Sequence, residues 1–307
     1  MAHLELGRAG DLMFQREQVS GVQPRLRNMP MRPRQWDELL SRDDVTSVAL
    51  EDGSTLALVP SYGQICLYYT FADEEGGRLH FAELWSELED DIEEDGWPYT
   101  RVDLVELPNR TWIEALLHAA DFRPFGEWME MERRDLSEDM PPPFIPESVH
   151  LRRGGEADHE AVIAIEAAAY GDDADGAEAM DLRLDQAAWI GVVEGDGEVV
   201  GYALTAPAAG LEGRIASAAV HPDHWGDGLG RVLLDAAAYQ IAQQGASRAV
   251  VELNPLVGAA IRAATGAGFR PGRRGVELRR PTDRALRDQV RESERSTGVK
   301  ARFGSWR

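Results

Sequence analysis

The chain has one cysteine, Cys66, one lysine, Lys300, and no apolar run approaching membrane-spanning length. A lone cysteine excludes an intramolecular disulfide and an all-cysteine metal site. It lies in the apolar run Ile65-Cys66-Leu67-Tyr68-Tyr69, which reads as a buried, inert thiol and not as a nucleophile. With so little lysine, arginine carries the positive charge and is outnumbered: 54 acidic residues face 32 basic ones, a net charge of −22. A surface this acidic excludes nucleic acid and anionic membranes as expected partners and attracts cations. The opening residues, MAHLELGRAGDLMF, lack a basic start followed by an apolar stretch. No signal peptide is therefore expected, and the cytoplasm is the expected location.

What is present is a globular composition. The 307 residues are 43% apolar, with eight tryptophans spread along them, enough for two domains that each bury a core. Charge divides unevenly: residues 1–140 carry 30 acids against 13 arginines, residues 141–307 carry 24 acids against 19 basic residues. An anionic cofactor is expected in the second half. The acidic run from Glu87 to Asp95 reads as the solvated face of a helix.

The run Pro141-Pro142-Pro143 cannot be helix or central strand and reads as a linker over residues 139–148. On either side of it the same order of elements occurs. In the second half, strands over Trp189–Glu194 and Glu198–Thr205 are joined by the hairpin signal Gly195-Asp196-Gly197. A strand over Arg214–Val220 follows. The next helix carries Leu229, Val232, Leu233, Ala236 and Tyr239 on one face, with Gly245 as its stop. A strand over Arg248–Leu253, a helix over Val257–Ala264 and a last strand near Val276–Leu278 complete it. Glu156–Tyr170 and Leu182–Ala188 supply opening helices.

The first half repeats the order. Strands Val45–Leu50 and Thr55–Val59 flank Asp52-Gly53, a strand covers Ile65–Phe71, and a helix presents Phe81, Leu84, Trp85, Leu88 and Ile92. Arg101–Leu107 (strand), Trp112–Ala119 (helix) and a strand near Trp128–Met131 follow. The strings VELPN (105–109) and VELNP (251–255) precede the phenylalanines of DFRP and GFRP by 17 and 18 residues. Such matching points to a duplicated unit. The expected fold is α/β: two tandem domains, each a twisted mixed sheet flanked by helices, over 1–138 and 149–281, with a C-terminal helix or tail over 282–307.

The segment richest in chemistry is Ala219-Val220-His221-Pro222-Asp223-His224-Trp225-Gly226-Asp227-Gly228-Leu229-Gly230-Arg231-Val232-Leu233-Leu234. It runs from strand through a glycine-rich turn into a helix. Glycines at alternate positions let backbone N–H groups converge, and the helix N-terminus adds partial positive charge, a combination suited to phosphate or pyrophosphate.

This segment resembles the acetyl-CoA signature of the GNAT acyltransferases, V-x-P-x-x-R/Q-x-x-G-x-G/A followed by a helix, and the resemblance extends over about residues 149–280. It implies a sheet in which the strand ending at Val220 splays from the one at 248–253, with the pantetheine of acetyl-CoA in the gap. Carried onto this chain, the cofactor meets Ala218 and Val220 by backbone. It meets Trp225, Gly226, Asp227, Gly228, Leu229, Gly230 and Arg231 by their N–H groups. Three positions depart from the family: Trp225 stands at its Arg/Gln position, Asp227 where a basic residue is common, and Ala264 at the tyrosine usually proposed as general acid. In the first half, Phe71-Ala72-Asp73-Glu74-Glu75-Gly76-Gly77-Arg78 puts three acids where a diphosphate would sit. That half reads as a degenerate copy that does not bind acyl-CoA.

The resemblance implies direct attack of an amine on a thioester, with the Val220 N–H polarising the carbonyl; the acidic surface adds the expectation of a small, cationic amine as acceptor. Candidate bases are Glu212, before the Arg214–Val220 strand, and Glu252 on the next strand. Either can equally be a solvated structural residue. Ser217 and Asn254 could order a relay water, and Tyr170 could line the acceptor site; His221 and His224 read as turn residues. No metal is expected. The tandem layout is also similar to that of mycothiol synthase. A non-catalytic acyl-CoA-binding module is the alternative.

Overall fold

The structure, a computed structural model, describes residues 25–303 apart from 30, 32, 62–63, 95–96, 106–109, 172–173 and 175. The opening segment read for a signal peptide and residues 106–109 of the VELPN string lie outside the described residues. The fold is mixed α/β. Its described residues form two compact units that interleave along the chain: one takes 25–29, 37–125 and 276–303, the other 31, 33–36 and 126–275. Among the described residues no helix is long and apolar enough to cross a membrane.

Up to the linker the chain forms β1 (Leu26–Arg27), α1 (Pro33–Leu40), β2 (Thr46–Ala49), β3 (Thr55–Ser61), β4 (Gln64–Phe71), α2 (Glu74–Glu94), β5 (Tyr99–Val105), α3 (Thr111–Ala119) and β6 (Arg123–Arg133). The β2–β3 turn needs a positive φ, which Gly53 supplies at 78°, and the Asp52 carboxylate accepts the Ser54 N–H at 2.7 Å. Phe81, Leu84, Trp85, Leu88 and Ile92 of α2 are all buried, the face that helical spacing marks out. They pack with Tyr69, Phe71, Trp112 and Phe122 in one core. Gly77 makes that packing possible, since a Cβ there would lie 2.4 Å from the Trp112 ring.

Parallel pairing of β4 with β5 covers Ile65↔Thr100 and Cys66↔Arg101. Past that point, residues 26–28 bond to both strands. β1 pairs antiparallel with β4 through Leu26↔Phe71 and Arg27↔Thr70. Asn28, 1% exposed, donates from Nδ2 to the Leu67 carbonyl at 2.9 Å and accepts the Tyr69 N–H at 2.9 Å. Its own carbonyl accepts from the Val105 N–H at 3.2 Å. At the start of α2, the Asp73 carboxylate accepts the Gly76 N–H at 2.8 Å, so a side chain satisfies the helix N-terminus.

Beyond the irregular proline run come β7 (His150–Arg153), α4 (His159–Tyr170), α5 (Ala177–Gln186), β8 (Trp189–Gly195), β9 (Glu198–Thr205), β10 (Glu212–Val220), α6 (Leu229–Gln243), β11 (Arg248–Leu253), α7 (Gly258–Gly266), β12 (Arg270–Pro281) and α8 (Arg284–Phe303). Asp196 and Gly197, at φ 53° and 88°, make the β8–β9 turn, as the Gly-Asp-Gly signal predicts. Strands β7, β8, β9 and β10 pair antiparallel in that order, and β10 pairs parallel with β11. β6, from before the linker, pairs antiparallel with β11 from Ala249↔Arg133 to Leu253↔Met129. Met129 and Met131 thereby share a core with Ala249, Val251, Leu233 and Phe269.

An ion cluster anchors the start of α4. The Arg152 guanidinium donates to both oxygens of Asp158 at 2.7 and 2.8 Å, and the Gly155 N–H donates to Asp158 Oδ2 at 2.9 Å. Arg152, opposed by burial, holds the Asp158 carboxyl below its ordinary value. A carboxyl depressed on folding contributes stability above its unfolded pKa of about 4, and that contribution disappears as pH falls through the folded value. Asp158→Asn should therefore cost on the order of 1 kcal/mol at neutral pH. In urea titrations the gap from the parent chain should narrow as pH falls below the ordinary carboxylate range.

Candidate active site

The site forms where β10 parts from its neighbour. Parallel pairing with β11 runs from Glu212↔Arg248 to Ile215↔Val251 and stops, while β10 itself continues to Val220. At the same place the register with β9 shifts between Ile215 and Ser217. A bulge sharpens local twist, which turns β10 away from β11 and opens a split between them. Backbone amides of a strand point alternately to its two edges. The His221 N–H bonds to the Val200 carbonyl at 2.8 Å, so the amides of Val220 and Ala218 face the split. Both carbonyls there are taken: Tyr170 Oη donates to the Ala218 oxygen at 3.0 Å and Trp225 Nε1 to the Val220 oxygen at 2.7 Å.

The loop from Trp225 to Arg231 leads from this split into α6. Gly226 and Gly228 have φ of 101° and 80°, and a Cβ on either would meet nothing within 4 Å. Both are glycine for backbone reasons, and the space above them is open. Gly228 is the N-cap of α6, and among the described residues no side chain caps the helix. Gly230 differs: its Cβ would stand 3.4 Å from Ala263, so this glycine lets α6 and α7 approach closely. Asp227 does not cap the helix; its carboxylate lies 3.5 Å from His224 Nδ1. Trp225 is exposed, with its indole turned back on the strand. These residues fit an anionic, phosphate-bearing group: the helix start is uncapped, the amides are unscreened by side chains, and a split strand pair lies alongside.

The candidate bases lie elsewhere on the same strands. Glu252 accepts from Arg214 Nη1 at 2.7 Å and Glu212 from Arg248 Nη1 at 2.7 Å. Arg248 also bonds Glu130, which Arg273 contacts in turn. Burial pushes the Glu212 carboxyl up, against the pull of Arg248 and Arg214. Ala264 is fully buried in the core around α6, so this position offers no room for an aromatic acid.

A second group stands beside the bulge, and of its members the sequence pointed only to Ser217, leaving Glu166 and Tyr202 unread. Glu166 of α4 is 5% exposed and accepts a short hydrogen bond from Tyr202 Oη of β9. Ser217 Oγ lies 2.8 Å from Tyr202 Oη and 3.4 Å from Glu166 Oε2. Burial first, and then the Glu166 carboxylate, hold the Tyr202 phenol well above its ordinary value, so it stays protonated and donates. A signal existed: Val162, Ile165 and Glu166 fall at the spacing of one inward helix face, which placed a carboxylate among apolar neighbours.

Residues 158–269 match the model of the acetyltransferase (GNAT) family. That stretch, from the start of α4 to the start of β12, is similar to a GNAT acetyltransferase domain. Among solved structures, the fold is shared with a GCN5-related N-acetyltransferase from Sphaerobacter thermophilus, at TM-score 0.55 and 19% identity over 89% of this chain and 91% of that one. It is shared too with a GCN5-related N-acetyltransferase from Kribbella flavida, at TM-score 0.51 and 18% identity over 80% and 93%. A tandem GNAT protein from the clavulanic acid biosynthesis pathway aligns at TM-score 0.50 and 16% identity over 90% and 94%. No curated protein matches the chain.

Proposed function

We propose that this protein transfers an acyl group from acetyl-CoA to a small amine that is cationic at neutral pH, within a site formed by β10, β11 and the loop into α6. The observation that carries this reading is the uncapped start of α6, reached by two positive-φ glycines with open space above them, at the mouth of a split strand pair. Acetyl-CoA, when bound, supplies an acyl group activated as a thioester. The amides of Ala218 and Val220 would hold the donor along the split, and those of Trp225, Gly226, Asp227, Gly228, Leu229, Gly230 and Arg231 would hold its phosphates. Tyr170 and Trp225, by occupying the Ala218 and Val220 carbonyls, leave that edge of the strand presenting donors. The acidic surplus of the chain favours a cationic acceptor. Glu212 and Glu252 stand as candidate bases. Each would have to give up an arginine partner to take a proton, a cost that counts against both.

The domain from the linker to 281 is the catalytic one in this reading, and that of residues 1–138 is a degenerate copy, a tandem layout similar to that of mycothiol synthase. Two features support the degeneracy. Residues 26–28 are bonded to both β4 and β5 where the strands stop pairing. The Asp73 carboxylate caps α2, where the second copy has no capping side chain. The first copy thus meets its own unsatisfied backbone groups with peptide and carboxylate.

Calorimetry of the full chain with CoA should give one site per chain. A concentration near 100 times the dissociation constant should add about 2.7 kcal/mol to stability. Two equivalent sites would end the degenerate-copy reading, and no binding would end the acyl-CoA reading.

A further inference from the structure

Glu166 is a buried carboxylate that accepts from the Tyr202 hydroxyl, and from Tyr202 a line of hydroxyls leads outward. Tyr202 is fully buried, Ser217 half-buried, and Ser217 sits at the β10 bulge, one residue from Ala218, whose amide faces the split. With Tyr202 donating to Glu166, the Tyr202 oxygen accepts from the Ser217 hydroxyl at 2.8 Å. A lone pair of Ser217 Oγ is then left to accept a proton from outside. Every donor in the series points inward, toward the carboxylate. The elements packed on α4 bring to this region Tyr202 from β9, the buried Arg183 from α5 and, at the helix start, the Asp158–Arg152 pair. Tyr170 lies on α4 itself.

We propose that Ser217, Tyr202 and Glu166 form a proton relay in which Ser217 takes the proton of the attacking amine and Glu166 is its final acceptor. This rests on the acyltransferase reading. The cationic acceptor first gives up one proton to bulk water; as the resulting neutral amine nitrogen bonds to the thioester carbonyl carbon, the carbon–sulfur bond breaks and its electron pair leaves on sulfur. The proton shed by nitrogen passes to Ser217 Oγ, the Ser217 proton to Tyr202 Oη, and the Tyr202 proton to Glu166 Oε2. Reversal of the relay returns that proton to the departing thiolate, giving CoA-SH. Only Ser217 touches the acceptor; Tyr202 and Glu166 act through it as positioning and proton-holding residues. The relay places the base on α4, at Glu166.

The test is thiol release from acetyl-CoA by the full-length protein, with a panel of primary amines and with water alone as acceptor, across pH. Glu166→Gln should lower turnover about 100-fold or more with any acceptor, leave CoA affinity unchanged, and remove the acid-side bend of the pH–rate profile. Ser217→Ala and Tyr202→Phe should each lower turnover at least tenfold, and either combined with Glu166→Gln should be no worse than Glu166→Gln alone, since one path is broken once. Ser217→Thr, which keeps the hydroxyl, should recover the rate to within a few-fold. Glu160→Gln, at the exposed start of the same helix, should change nothing. If Glu166→Gln does not fold, the Ser217 pair, alanine against threonine, carries the test. Parent-like rate and pH profile in Glu166→Gln, strictly additive losses, or a slow Ser217→Thr would overturn the relay. So would a chain that binds CoA yet releases no thiol with any acceptor, an outcome that spares the cofactor site. Failure to bind CoA at all sinks the acyltransferase reading itself.

Discussion

Gly228→Val should remove CoA binding, weakening affinity at least 100-fold, while the chain keeps its fold. Gly228 sits at φ 80°, a region that costs a β-branched residue well over 1 kcal/mol. The added methyls would meet no protein atom near the Cβ, so the core has no reason to yield. They would project instead into the open space above the start of α6, where the phosphates are proposed to lie, and the backbone strain would turn the loop amides. Calorimetric titration with CoA measures the loss, and far-ultraviolet circular dichroism verifies the fold. Gly230→Ala provides a contrast. Its Cβ would press on Ala263 at 3.4 Å, so it should lower stability modestly through helix packing and affect affinity less. Parent-like CoA affinity in a folded Gly228→Val chain would mean that the phosphates bind elsewhere.

The second large effect concerns the unit that holds β4 and β5. Asn28→Ala should destabilise the protein by roughly 2–4 kcal/mol, because it strands the Leu67 carbonyl and the Tyr69 N–H, both bonded to the Asn28 side chain in a site 1% exposed. In a domain of this size that corresponds to a fall of about 10 °C in the melting temperature of the unit concerned. Asn28→Asp should also be costly, since a carboxylate cannot donate to the Leu67 carbonyl and its charge would be buried. CoA stoichiometry should stay at one, because Asp73 still caps α2. A melting temperature unchanged in Asn28→Ala would show that residues 26–28 contribute nothing to holding β4 and β5.

How much of this could be read in advance follows the range of the forces involved. The α2 face of Phe81, Leu84, Trp85, Leu88 and Ile92, the Gly195-Asp196-Gly197 turn and the strand–glycine loop–helix run after Val220 were all legible, because helical periodicity, positive φ and turn chemistry are properties of a few neighbouring residues. The same locality carried the expectation that the two halves are repeats and pointed to the loop. It could not assign the glycines separately: Gly228 serves the backbone of the loop and Gly230 the contact of α6 with α7, a difference set by Ala263, which is remote in sequence.

Sequence alone therefore determined the class of domain, its glycine loop and its acidity, all encoded within short windows or in composition. Tertiary structure decided where Glu166, Tyr202 and Ser217 meet, since a helix, an antiparallel strand and a bulge 15 to 51 residues apart must pack before their side chains touch. It decided that β6 joins β11, a pairing chosen because Met129 and Met131 bury against Ala249 and Val251. It also decided that Glu212 and Glu252 face arginines and that Ala264 lies in a closed core. Long-range hydrogen bonds and ion pairs leave no periodic trace in a chain; they exist only after burial has brought their partners together.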